Sequence, residues 1–367
     1  MVKKFLFSAL FFCTAVCAPA TAQETAMPEN FDPEAERAKI AGAYIPNYRE
    51  LMRDIVLAFG DFVKARNADF QILLDGGSDL LTRGVWENDL VDLHRAELAG
   101  ATNDDERFLL KLFSPEHPIK SGTPNRRFIQ SAAGIVLTDQ ICGKAKGKPS
   151  KTMQKLIDEF GLKVVGIEHC ATKGQKNNAL QTLSAKGIPT FADVKFSGKF
   201  DTLDSTVFDE NNKSVESLAK VKNVLILTDT RKFADKDLML NALAKTNFDL
   251  LIVDPFFNFN RALSREDVRS LQFKQIGTRR LVYAVLNVAE AQDTRAYWET
   301  TWKLRSPKWL RFVSETNPAG IVVDYWNPAW KRIIGIYFRS IMDLGFDGVV
   351  LQGLDNHKIY EKIIPIN

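Results

Sequence analysis

The chain is poor in the residues that most often mark chemistry. It holds four cysteines and four histidines in 367 residues, and no cluster of them has metal-ligand spacing. No glycine-rich turn follows a strand pattern, so a dinucleotide or phosphate-loop reading lacks its main signature. No Ser-His-Asp set can be picked out either. After the N-terminal segment, no apolar run approaches the roughly 18 residues that a membrane span needs. Charge of one sign is also missing. Lys and Arg number 49 and Asp and Glu 45, a formal charge of +4, and near neutrality gives no reason to expect nucleic acid.

The N-terminus has a pattern of its own. Lys3 and Lys4 precede an apolar run from Phe5 to Val16, and Ala20-Thr21-Ala22 supplies small residues at a cleavage position. The expectation is a secretory signal peptide over residues 1–22 and a soluble, exported mature protein, periplasmic or extracellular. Its removal takes away Lys3 and Lys4, lowering the formal charge from +4 to +2, and leaves only Cys142 and Cys170. These follow two consecutive strand patterns, so in an oxidising compartment they form a disulfide or else stay as two buried thiols. Residues 23–46 read as a polar, flexible leader.

From residue 47 onward, strand and helix patterns alternate. Residues 47–66 carry Leu51, Met52, Ile55, Val56, Phe59, Phe62 and Val63 at helical spacing. Nine apolar runs read as strands: DFQILLD, AAGIVLTD, LKVVGIEHC, GIPTFAD, KNVLILTD, FDLLIVD, RRLVYAVLN, GIVVDYW and GFDGVVLQ. Helical stretches separate most of them, one opening with a capping box at Ser264 and Asp267. Residues 99–127 lack pattern and read as an insertion or long loop. The predicted fold is α/β, a single-domain (β/α)8 TIM-type barrel over residues 47–367, with an open doubly wound sheet as the alternative. Eight places for nine runs leave one accessory, and Pro189 makes GIPTFAD the expected one.

The strand ends carry the chemistry. The central stretch LVYAVLNVAEAQDTRAYW delivers Glu290, Asp293, Arg295, Tyr297 and Trp298 after an apolar run. Asp75, Asp139, Glu168, Asp254 and Asp324 close other strand patterns, and Tyr325, Trp326 and Trp330 follow Asp324. Carboxylates and aromatic rings at the ends of parallel strands are the equipment of sugar-handling barrels. Each has a plainer reading. A rim carboxylate also serves to pair an arginine, as Glu290 would with Arg295, and Trp326 and Trp330, four residues apart, also suit a core. His169 and His357 read first as surface or core residues.

The run from FDLLIVDPFF through LVYAVLNVAEAQDTRAYW and DYWNPAWKRII to GFDGVVLQGLDNH, over residues 220–357, resembles the secreted bacterial branch of glycoside hydrolase family 114, the endo-α-1,4-polygalactosaminidases. Segments that follow these motifs in that family are similar here to DFQILLDGGSDLL, AAGIVLTDQICG and LKVVGIEHC, which precede them, so the resemblance implies a circular permutation joined through residues 195–216. It also implies a polysaccharide or oligosaccharide partner of amino-sugar type and no cofactor. The two family carboxylates fall on Gln352 and Thr138, and Gln292 and Ala289 are further departures. An amide exchanges no proton at neutral pH, and a hydroxyl is a poor base. The resemblance therefore leaves acid and base roles to Glu290, Asp139 and Asp355, with Asp75, Glu168, Asp254, Asp293, Arg295, Asp324, Tyr325, Trp326 and Gln352 toward substrate. Its rivals are a barrel that binds glycan without cutting it and a protein with a structural role only.

Overall fold

Eight apolar runs of four to eight residues become eight parallel strands. The structure is a computed structural model that describes residues 45–99, 120–143, 149–194, 199–204, 206–315, 317 and 319–363, with the side chains of 94–99 left aside. The expected signal peptide, nearly all of the leader and most of the 99–127 insertion lie outside the described residues. The strands are β1 (Gln71–Asp75), β2 (Gly134–Thr138), β3 (Lys163–Cys170), β4 (Thr190–Val194), β5 (Val224–Leu227), β6 (Leu250–Val253), β7 (Leu281–Asn287) and β8 (Gly348–Gln352).

Their order in the sheet is β4-β3-β2-β1-β8-β7-β6-β5. Every neighbour in that order is a neighbour in sequence, apart from the β8–β1 join that closes the first strand on the last. The ends of the order, β4 and β5, come side by side, so the sheet is a nearly closed (β/α)8 TIM-type barrel. Most of its strands are buried on both faces, which explains runs of Val, Ile and Leu rather than alternation. Where β8 passes between β1 and β7, Gly348 is required: a Cβ there would lie 2.5 Å from the Gln71 carbonyl oxygen and 2.8 Å from the Tyr283 ring.

Helices wrap the outside. They are α1 (Tyr48–Arg66), α2 (Val85–Ala99), the single turn α3 (Arg126–Ile129), α4 (Lys151–Phe160), α5 (Lys173–Ser184), α6 (Lys236–Ala244), α7 (Arg265–Leu271), α8 (Pro328–Asp343) and α9 (His357–Ile363). Their starts obey local chemistry: Asn47, Ser150, Thr172, Asp235 and Asn327 each accept a hydrogen bond from a first-turn N–H. The Ser264 capping box of α7 is present with both bonds formed. The apolar stripe of α1 meets α8, where Phe59 stacks on Phe338 with ring centres 4.1 Å apart. Arg280, fully buried, donates to the carbonyls of Leu243, Thr246 and Leu271, joining the C-terminal ends of α6 and α7. Burial lowers its pKa to about 10.

The accessory strand is not the expected one. GIPTFAD supplies β4, a full member of the ring; Pro189 stands just before it, and its carbonyl accepts from Gly166 N at 2.8 Å. A proline at the mouth of a strand has no ladder N–H to lose. GIVVDYW leaves the ring instead. Its strand Ile321–Val323 pairs antiparallel with Leu310–Val313 and with Glu290–Ala291, because the chain returns to it by a short reversal rather than the crossover that a parallel neighbour needs. This three-stranded sheet is inserted between β7 and α8.

Candidate functional site

Parallel strands put all their C-terminal ends on one rim, so Asp75, Thr138, Asp139, Glu168, Asp254 and Gln352 share a face of the barrel. Ladder register fixes the closest neighbours: Gln352 stands opposite Asn287, and Leu351 opposite Leu74. Among the described residues, no three His, Cys, Asp or Glu side chains converge as a metal site.

At the β8–β1 seam, the Gln352 amide donates to Asp75 Oδ2 at 3.0 Å. Burial pushes the Asp75 carboxyl above the usual carboxylate range, the Gln352 bond opposes that, and the negative charge of Asp355 adds to it. Asp355 approaches through Gly76, which has a left-handed φ of 87°. A Cβ there would come within 2.5 Å of Asp355 Oδ2. Asp355 itself is ion-paired with Lys358. The position that the family resemblance gives to a carboxylate is thus an amide that holds one.

At the next strand ends, Asp139 takes a left-handed φ of 57°. Its Oδ1 accepts from His169 N at 2.8 Å and lies 3.0 Å from His169 Nδ1. This Asp–His pair is half-exposed on the rim. Sequence reading treated Asp139 and His169 separately, since the residues are 30 apart and only the β2–β3 pairing joins them.

Glu168 has a different task from the one expected. It is fully buried, and its carboxylate accepts from the backbone of Gln140 (2.8 Å), Ile141 (3.1 and 3.2 Å) and Cys142 (2.8 Å). It therefore shapes the turn after β2 and has no free face for substrate. Cys142 and Cys170 form a disulfide across the same turn. The turn that presents Asp139 is held at both ends.

Glu290 closes a local turn in which Asn287 Oδ1 accepts from Ala289 N and Glu290 N at 3.0 and 2.9 Å. Its carboxylate, 5% exposed, accepts from Ser314 Oγ (2.7 Å), Asn317 Nδ2 (3.1 Å), Asn287 Nδ2 (3.3 Å) and Asn356 Nδ2 (3.5 Å). All four are neutral donors. The expected partner, Arg295, goes elsewhere: its two terminal nitrogens meet Asp254 Oδ1 and Oδ2 at 2.8 Å each, and its Nε donates to Gln292 Oε1 at 2.8 Å. Burial pushes the Asp254 carboxyl up, and Arg295 opposes it. Arg295 and Arg231 both approach the Phe259 ring, 5.3 and 5.4 Å from its centre.

Asp324, Tyr325 and Trp326 follow the inserted-sheet strand Ile321–Val323 and not a barrel strand. Asp324 accepts from Tyr360 Oη at 3.1 Å. Tyr325 is fully buried and donates to the Tyr48 carbonyl at 2.8 Å, so its ring has no face for a sugar. Trp326 is half-buried against Tyr48, Tyr325 and Tyr360. Trp330 is core, donating to the Val288 carbonyl at 2.7 Å. Asp293 is exposed.

No protein-family model matches the chain. The sequence is similar to an uncharacterized protein of Methanocaldococcus jannaschii, 29% identical over 175 residues that cover 44% of this chain and 49% of that protein. An uncharacterized protein of Deinococcus radiodurans is 30% identical over 122 residues, 33% of this chain and 38% of the relative. One of Thermotoga maritima is 32% identical over 77 residues, 21% and 24%. The chain spans half or less of the length of these curated relatives.

Proposed function

We propose that this barrel is an exported glycoside hydrolase acting on an amino-sugar polysaccharide, of the kind the polygalactosaminidase resemblance implies. Asp75 is the proton donor, and the Asp139–His169 pair is the base that activates water. The observation that carries the reading is the seam between β8 and β1. There a carboxyl is biased toward its protonated form by burial and by the neighbouring Asp355, while the Gln352 amide fixes its orientation. A general acid needs such a bias at neutral pH, and a base oriented by a second group suits the other role. Of the residues first expected to act, Asp139 keeps a direct role, Asp355 tunes Asp75, and Glu290 braces the inserted sheet against the rim. The disulfide agrees with export, since such bonds persist in oxidising compartments.

A second reading has its own observation. Gln352 and Thr138 occupy the positions of the family carboxylates, and neither exchanges a proton, which favours a barrel that binds glycan without cleaving it. Incubation with galactosamine polymers, scoring new reducing ends, separates the two. Asp75→Asn and Asp139→Asn each lower the hydrolysis rate by about 100-fold or more if the enzymatic reading holds. Polymer retention with no new ends, unchanged in both variants, leaves the binding reading.

A further inference from the structure

His357 opens α9 directly after the turn Leu354–Asn356, fully buried. Its two ring nitrogens face two acceptors: Nδ1 lies 2.8 Å from the Leu354 carbonyl oxygen, and Nε2 lies 3.1 Å from Asp79 Oδ2. A carbonyl oxygen can only accept, so Nδ1 carries a proton. Asp79 also meets Arg49 at 3.2 Å and Lys358 at 3.4 Å. Burial alone would raise the Asp79 carboxyl, but His357, Lys358 and Arg49 together hold it well below the usual range. The ring is thus gripped from both sides, by the Leu354 carbonyl and by Asp79.

The ion-pair cluster that includes this imidazole draws on several elements: Asp79 from the turn after β1, Arg49 from α1, Asp355 from the Leu354–Asn356 turn, and Lys358 and Glu361 from α9. Arg49 is held in turn by Glu361 at 2.7 and 3.0 Å. Lys358 bridges Asp79 and Asp355. The turn anchored by His357 is also the one that sets Asp355 toward Asp75 and Asn356 toward Glu290.

We propose that His357 is a positioning residue that, clamped between Asp79 and the Leu354 carbonyl, fixes the turn that keeps Asp355 beside Asp75. It acts on the chemistry through Asp355 and does not touch substrate. The functional consequence rests on the reading of Asp75 as the acid; the clamp on the ring does not.

The test begins with the unaltered chain labelled with nitrogen-15 in histidine. His357 Nδ1, which faces the Leu354 carbonyl, should show a protonated signal. A bare Nδ1 overturns the proposal, because the clamp on the Leu354 carbonyl would then be absent. Carboxyl carbon titration of Asp75 then follows His357→Gln, Asp355→Asn and the double variant. Each single change should lower the Asp75 midpoint, and the double variant should lower it no further than Asp355→Asn alone. Additive shifts overturn the route through Asp355. In turnover assays His357→Gln should lower kcat about 10-fold with KM within about twofold. Absence of turnover in the unaltered protein would sink the hydrolase reading and leave the nitrogen and carboxyl results to decide this one.

Discussion

Asp75 illustrates how a rim residue trades stability for chemistry. Its folded-state pKa is raised by burial and by Asp355, against the Gln352 bond. A raised carboxyl contributes stability that is fully present below the unfolded value near pH 4 and is lost as pH rises through the folded value. At pH 7 the site therefore carries a cost that an amide would not. Asp75→Asn should stabilise the protein by about 1 kcal/mol at pH 7, with the Gln352 amide still donating to the new side-chain oxygen. Thermal unfolding across pH should show the gain shrinking toward zero below about pH 4, and the same variant should lose activity. A loss of stability at pH 7 would contradict the account. None of this was legible from Asp75 alone, since its two neighbours, Gln352 and Asp355, lie more than 270 residues away in sequence.

At the scale of elements, the turn after β2 depends on two restraints that meet from opposite sides. Glu168 gathers three backbone N–H groups, and the Cys142–Cys170 bond closes the ends. The half-cystines are 28 residues apart, and a cross-link of that span stabilises by about 3 kcal/mol through the unfolded chain. Replacing both cysteines with serine should cost about that much in denaturant unfolding. Amide exchange at Gln140 to Cys142 should rise only modestly, because Glu168 still holds the turn. Full exposure of those amides would mean that the disulfide alone shapes it. Consecutive strand patterns leave the cysteines free either to pair or to stay as buried thiols. That Glu168 would point inward was not suggested, because a carboxylate at a strand end has the same sequence signature whether it faces substrate or its own backbone. The placement of GIPTFAD had the same root: Pro189 disfavours a strand interior, yet whether it stands inside or one step outside depends on register, which only the β3 partner supplies.

For the whole molecule, the weakest point of the ring lies where β4 and β5 meet. Among the described residues no ladder joins them, while the other seven junctions are parallel pairs. Among the described residues of the polar connection between them, the helical element is one short 3-10 turn, Leu218–Lys220. Edges without a pairing partner open more readily. Native-state hydrogen exchange should find amides of β4 and β5 less protected than those of β1, β7 and β8; equal protection around the ring would mean closure by hydrogen bonds as well as proximity. The sequence by itself determined the alternation of strands and helices, the helix caps and the barrel class, because hydrophobic period and capping chemistry act over a few residues. Tertiary structure alone decided which run left the ring, which carboxylates went to Arg295 and to backbone N–H groups, which one met His169, and that burial and Asp355 bias Asp75 toward its protonated form. Those outcomes depend on desolvation and on charges brought together from distant strands, and neither exists until the barrel closes.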